Sequence, residues 1–158
     1  MKYRCYDTMA FLDSFEVNCS EGKRNYDNFH DQIDERLVVF EANHKDYSSL
    51  LEFAYACIYE QYEKEKRFVE AAYMRVPCVN PPYTPWEYYK NKFIEYPITK
   101  ESFDRKLNFC VKGLRKKIEK RYSDDSISTM ILKDEWDSVF IVAEYIDIYV
   151  GYWWKANF

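Results

Sequence analysis

The sequence predicts an all-α protein: one bundle of about six helices over residues 1–158, with a Pro-rich central connection and a largely buried C-terminal helix. Three observations point there. Apolar residues recur at helical spacing along most of the chain. Glycine is scarce, with 3 Gly beside 16 Tyr, 11 Phe and 4 Trp, which leaves little material for tight hairpins. The clearest local start signals are helix caps.

Taken in order, Asp7 can cap a first helix carrying Phe11, Leu12 and Phe15, which ends before Glu21 and Gly22. A second helix, Asn25 to Glu41, places Tyr26, Phe29, Ile33, Leu37 and Phe40 on one stripe, and Asn43 and His44 break it. Ser49-Leu-Leu-Glu52 has the form of a capping box. The helix behind it carries Leu50, Leu51, Ala54, Ile58, Tyr62 and Phe68 on connected faces and runs to Met74. Glu60/Lys64 and Glu63/Arg67 lie on its outer face in the favourable i, i+4 orientation.

Pro77, Pro81, Pro82 and Pro85 form the stiff connection. The next start combines Thr84 as N-cap, Pro85 at the first helical position and Glu87 two residues on. Tyr83 and Tyr88 occupy the staple positions, and the helix stops at Tyr96-Pro97. Thr99 caps a helix whose stripe is Phe103, Leu107, Cys110, Val111, Leu114 and Ile118. A polar turn at Ser123–Ser126 and a short apolar piece, Ile127 to Leu132, lead to the last helix, Asp134 to Lys155. On a helical wheel Trp136, Val139, Phe140, Ala143, Ile146, Val150 and Trp154 cluster. Ile141, Val142, Ile148, Tyr149 and Tyr152 cover most of the remaining circumference. A helix apolar nearly all round belongs at the centre of a bundle.

Composition narrows function by exclusion. The isolated glycines Gly22, Gly113 and Gly151 rule out a phosphate-binding loop or a dinucleotide fingerprint. His30 and His44 are the only histidines, so no site of three imidazoles exists. Cys5, Cys19, Cys57, Cys78 and Cys110 form no Cys-x-x-Cys pair, a reduced and cytoplasmic pattern in which Cys57 and Cys110 read as small core residues. The N-terminus lacks an apolar signal-peptide core, and no apolar run is long enough to span a membrane. The formal charge of −4 divides unevenly, at −6 over residues 1–60, +7 over 61–122 and −5 over 123–158. Nucleic-acid binding is disfavoured by the overall acidity.

The candidate surface residues are carboxylates and tyrosines. Asp27, Asp31, Asp34 and Glu35, with Val38 among them, share one face of the second helix, opposite its core stripe. Glu144 and Asp147 sit at i, i+3 on the apolar last helix. A buried carboxylate there needs a cation, and Arg121 or a Lys of the basic middle helix is the expected partner. Tyr145, Tyr149 and Tyr152 form that helix's second face, available for contact. The basic residues Arg105, Lys106, Lys112, Lys116 and Lys120 read as a solvated face, and His30 with Asp34 as a surface pair rather than a metal site.

These features favour a non-enzymatic inhibitor without cofactor or metal: an immunity protein whose carboxylates steer it onto a basic toxin or effector domain, such as a nuclease, and occlude its active site. A phage-encoded inhibitor of a host defence complex would look the same. A helical scaffold or regulatory module, monomeric or homodimeric, is the other reading.

Overall fold

The computed structural model describes residues 13–19, 34–74, 84–112, 118 and 120–157, and they are a mixture of strands and helices rather than a helical bundle. The elements are β1 (Asp13–Cys19), β2 (Asp34–Asn43), α1 (Leu50–Tyr73), α2 (Trp86–Tyr89), β3 (Tyr96–Pro97), α3 (Lys100–Val111), β4 (Ser128–Glu135), β5 (Ser138–Glu144) and β6 (Ile148–Asn157). The strands make one antiparallel sheet in the order β1-β2-β6-β5-β4-β3, five substantial strands and the two-residue β3 at one edge. α1 covers one face and α3 the other, giving three layers.

The all-α expectation fails most clearly at its most apolar segment. Residues 134–155 are not one helix but the end of β4, a turn at Trp136-Asp137, β5, a second turn and most of β6. Along β5, Phe140 and Val142 join the α1-side core, while Val139, Ile141 and Ala143 join the α3-side core. β6 alternates likewise, Tyr149 and Trp153 against Val150, Tyr152 and Trp154. An apolar circumference is what a buried helix shows, but a central strand covered on both faces shows it too. The wheel also put Trp136 and Ile146 in the core. As turn residues they are 72% and 83% exposed.

The same confusion of periods occurs earlier. Residues 13–19 and 34–41, read as parts of the first two helices, are β1 and most of β2; residues 1–12 and 20–33 lie outside the described residues. Leu37 and Phe40, neighbours on a helical stripe, face opposite sides of the sheet. Ile127 to Leu132 enters β4.

Three helix signals act where expected, with changes. Ser49 Oγ accepts the Glu52 amide at 3.1 Å, so α1 starts at the capping box. Its return arm differs: Glu52 accepts from the backbone amide of Ser48 at 3.0 Å. Leu50, Phe53, Ala54, Cys57 and Ile58 are buried against the sheet, whereas Phe68 is 76% exposed, so the second half of α1 leaves the core. Thr99 Oγ1 accepts the Ser102 amide at 3.1 Å and starts α3, which buries Phe103, Leu107 and Cys110. The Thr84 signal produces less: α2 is one turn, flanked by Pro85 without a side-chain cap, and continues as a 3-10 turn over Lys90–Lys92. Tyr83 lies outside the described residues. Cys57 and Cys110 are buried, one in each core, and desolvation pushes the Cys57 thiol up.

Gly151 lies on β6 between Phe40 and Val142 in the ladder. A Cβ there would come within 3.3 Å of Phe140 Cε1, tighter than relaxed packing, and 3.4 Å of Val142 Cγ1, at the edge of ordinary contact. Gly151→Ala is therefore expected to cost about 1–3 kcal/mol by overpacking, read as a lower urea midpoint at unchanged slope. A variant as stable as the parent would show that the ring of Phe140 gives way freely.

Candidate partner-binding surface

The predicted site residues separate once the sheet forms. Asp27 and Asp31 lie outside the described residues, and Asp34 is the first residue of β2. The acidic face does not survive at Glu35 and Val38. On a strand they point to opposite sides, and both are buried, Glu35 accepting from the Trp154 indole at 3.0 Å and Val38 packed in the α1-side core. The tyrosines are also interior: Tyr145, Tyr149 and Tyr152 are at most 1% exposed. Their hydroxyls explain the type, because each finds a backbone partner. Tyr149 donates to the Tyr47 carbonyl at 3.3 Å, and Tyr152 accepts the Arg121 amide at 3.1 Å.

Tyr145 is the anchor of one end of the sheet. Its hydroxyl is shared between the carbonyls of Arg121 at 3.0 Å and Tyr122 at 2.9 Å, tying the β5–β6 turn to the segment that enters β4. The Arg121 guanidinium lies over the Tyr145 ring at 4.1 Å and pairs with both oxygens of Asp147, at 2.9 and 3.0 Å. Of the cations expected, Arg121 or a Lys, Arg121 is the one on Asp147, which is exposed rather than buried, and its bonds hold that carboxyl below the usual carboxylate range. Glu144 takes different partners: its Oε2 lies 2.7 Å from His44 Nε2, and its Oε1 accepts from Ser128 Oγ at 2.9 Å. The His44 ring stacks on Tyr149, and its amide donates to the Asp147 carbonyl at 3.0 Å.

The order of these groups differs from that of a Ser-His-carboxylate triad. A hydroxyl is activated when an imidazole stands between it and a carboxylate. Here the carboxylate of Glu144 stands between Ser128 and His44. Among the described residues no group of His, Cys, Asp and Glu is placed to hold a metal ion, and no helix is long and apolar enough to cross a membrane.

The exposed residues above this frame were missed by the sequence reading. Ile146 is 83% exposed, Ile127 59% and Tyr122 43%. The Ile127 amide donates to the Glu144 carbonyl at 2.7 Å, two residues before Ile146, so the two isoleucines flank the same end of the β4–β5 ladder. Asp147 neighbours Ile146 in the turn, and exposed Asp124 and Asp125 precede Ile127 in a 3-10 turn. That turn is itself held, since Ser123 donates to Asp104 through its amide at 3.0 Å and its hydroxyl at 2.8 Å. The signal available in sequence was an isoleucine beside aspartate in each of two turns, Asp124-Asp125-Ser126-Ile127 and Ile146-Asp147.

Tyr145→Phe deletes only the tie between these segments. Expected results are a loss of about 1–2 kcal/mol and faster amide exchange at residues 121–127, with exchange in α1 unchanged. Unaltered exchange at 121–127 would remove Tyr145 as the anchor.

Fold and surface together define a three-layer α/β/α domain on an antiparallel sheet, with acidic turns presenting aliphatic side chains at one end. Comparison of the chain with protein-family models, with curated proteins and with solved structures finds no match.

Proposed function

We propose that the chain is a non-enzymatic protein-binding inhibitor, an immunity protein that neutralises a basic toxic effector domain by covering its active cleft. The observation that carries this reading is the end of the sheet where Ile146, Ile127 and Tyr122 stand exposed beside Asp124 and Asp125, with Asp147 paired to Arg121 and Lys120 over the Tyr122 ring. Aliphatic anchors in a ring of charge combine the two requirements of a tight and selective contact. The apolar groups supply affinity when desolvated, and the carboxylates steer a basic partner and reject acidic ones. Preorganisation adds to this, because Tyr145 and the Arg121–Asp147 pair fix the turns before binding. Glu35 and Val38, being buried, have no part in it.

The test is association with the product of the adjacent gene, purified as an inactive toxin variant, followed by titration calorimetry. The reading expects a 1:1 complex with a dissociation constant on the order of nM and an association rate that falls as salt rises. Neutralisation of the active toxin by the chain completes it. No complex at micromolar concentrations with a basic neighbouring product would overturn the reading.

A further inference from the structure

A second cleft lies at the opposite end of the sheet, between the second half of α1, the α2 segment and the β4–β5 turn. Its cavity is about 260 Å³, just below the roughly 300 Å³ at which pockets begin to accept drug-sized ligands. Three neighbouring strands place Arg36, Lys155 and Ser138 in one row across the sheet, Lys155 pairing in register with Arg36 on one side and Ser138 on the other. Two cations directly opposite each other on one sheet face repel. Lys133 from β4 adds a third to the same cleft.

Within two ion pairs of the cleft the cation is the more buried partner. The side chains of Lys155 and Lys133 are 22% and 20% exposed, and each lies over a ring: Lys155 over Trp153 at 4.3 Å, Lys133 over Phe93 at 5.3 Å. The carboxylates facing them, Glu65 at 3.3 Å from Lys155 and Glu135 at 3.9 Å from Lys133, are 50% and 55% exposed and stand at the mouth. Lys92 over Tyr89 and the half-buried Asp137 complete the charged lining. Ser138 Oγ accepts from the Trp153 indole at 3.0 Å, which leaves its own proton to donate into the cleft.

We propose that this cleft binds a phosphoryl group, with Lys155, Lys133 and Arg36 neutralising the dianion and the Ser138 hydroxyl donating to one of its oxygens. The rings that would stack on a larger aromatic ligand already carry ammonium groups, so the site recognises the phosphoryl group rather than a base or a peptide side chain. Burial lowers the Lys155 ammonium from its usual range, Glu65 pulls it back up, and the charges of Arg36 and Lys133 add smaller downward pushes. A bound dianion adds to the pull of Glu65 and raises the Lys155 midpoint.

The experiment is a titration of the intact chain with inorganic phosphate and, separately, with phenyl phosphate, followed by NMR of the lysine side-chain 13Cε signals. Expected is saturable binding below about 1 mM, with the Lys155 titration midpoint moving upward on binding. Tighter binding of phenyl phosphate assigns a phosphomonoester, and tighter binding of inorganic phosphate assigns the free ion. Lys155→Gln and Arg36→Gln should each weaken the better probe by about tenfold or more. The proposal is overturned if neither probe saturates by about 10 mM, or if a folded Lys155→Gln binds like the parent. Should Lys155→Gln fail to fold, the Lys155 midpoint in the parent decides: no upward movement rejects the site.

Discussion

Trp154→Ala is expected to destabilise the protein by about 3–5 kcal/mol, the largest single loss among the substitutions considered. Trp154 is fully buried on β6 and meets Phe109 edge-on at 5.1 Å, one of the contacts that seat α3 on the sheet. Its indole also donates to the carboxylate of Glu35, a fully buried acid on the adjacent strand. Truncation therefore opens a cavity and removes a donor from a buried carboxylate at once. Trp154→Phe separates the two effects: it keeps most of the volume and loses the donor, for an expected cost of about 1.5–3 kcal/mol. Urea denaturation at neutral pH measures both. A Trp154→Ala loss below about 1 kcal/mol would mean that the α3-side core is not packed as described.

Ile146→Arg is expected to weaken association with the effector about 30-fold or more while leaving thermal stability unchanged. The residue is 83% exposed, so folding does not depend on its side chain. In the proposed complex it would be the centre of a desolvated patch, and the substitution would put a charge matching the basic partner there. Asp125→Lys should act differently. It sits at the rim, so its main effect falls on the association rate, and that effect shrinks as salt is added. Two surface variants with distinct kinetic signatures separate an anchor from a steering group. Equal affinity in both would empty this surface of function.

Much local chemistry was legible in the sequence, and the fold was not. Ser49 and Thr99 announced their helices because a cap is a local hydrogen bond that needs no tertiary information. A cation for Glu144 and Asp147, Arg121 or a Lys, was expected from burial in an apolar helix; Arg121 does pair with Asp147, but in an exposed turn, and Glu144 meets His44 instead. The sheet was hidden for a different reason. Strands covered on both faces lose the alternation that marks a half-exposed strand, and Val139 to Ala143 and Tyr149 to Trp154 then imitate a helix apolar all round. Their richness in Val, Ile, Tyr and Trp was the cue that favoured strands. Glycine scarcity misled too, because Trp136-Asp137 turns the chain between β4 and β5 without one. A helix over 134–155 puts Ile146 in the core and Tyr149 at the surface, and the strands invert both.

The central claim is that the acidic turns around Ile127 and Ile146 are where the partner sits. Amide hydrogen exchange of the chain alone and in complex with the inactive effector tests it most directly. The account predicts new protection concentrated at residues 121–128 and 145–148, with little change in the second half of α1 or at the β4–β5 turn. Protection centred on Trp136 and Phe109, or on the distal half of α1, with residues 121–128 exchanging as before, would contradict it.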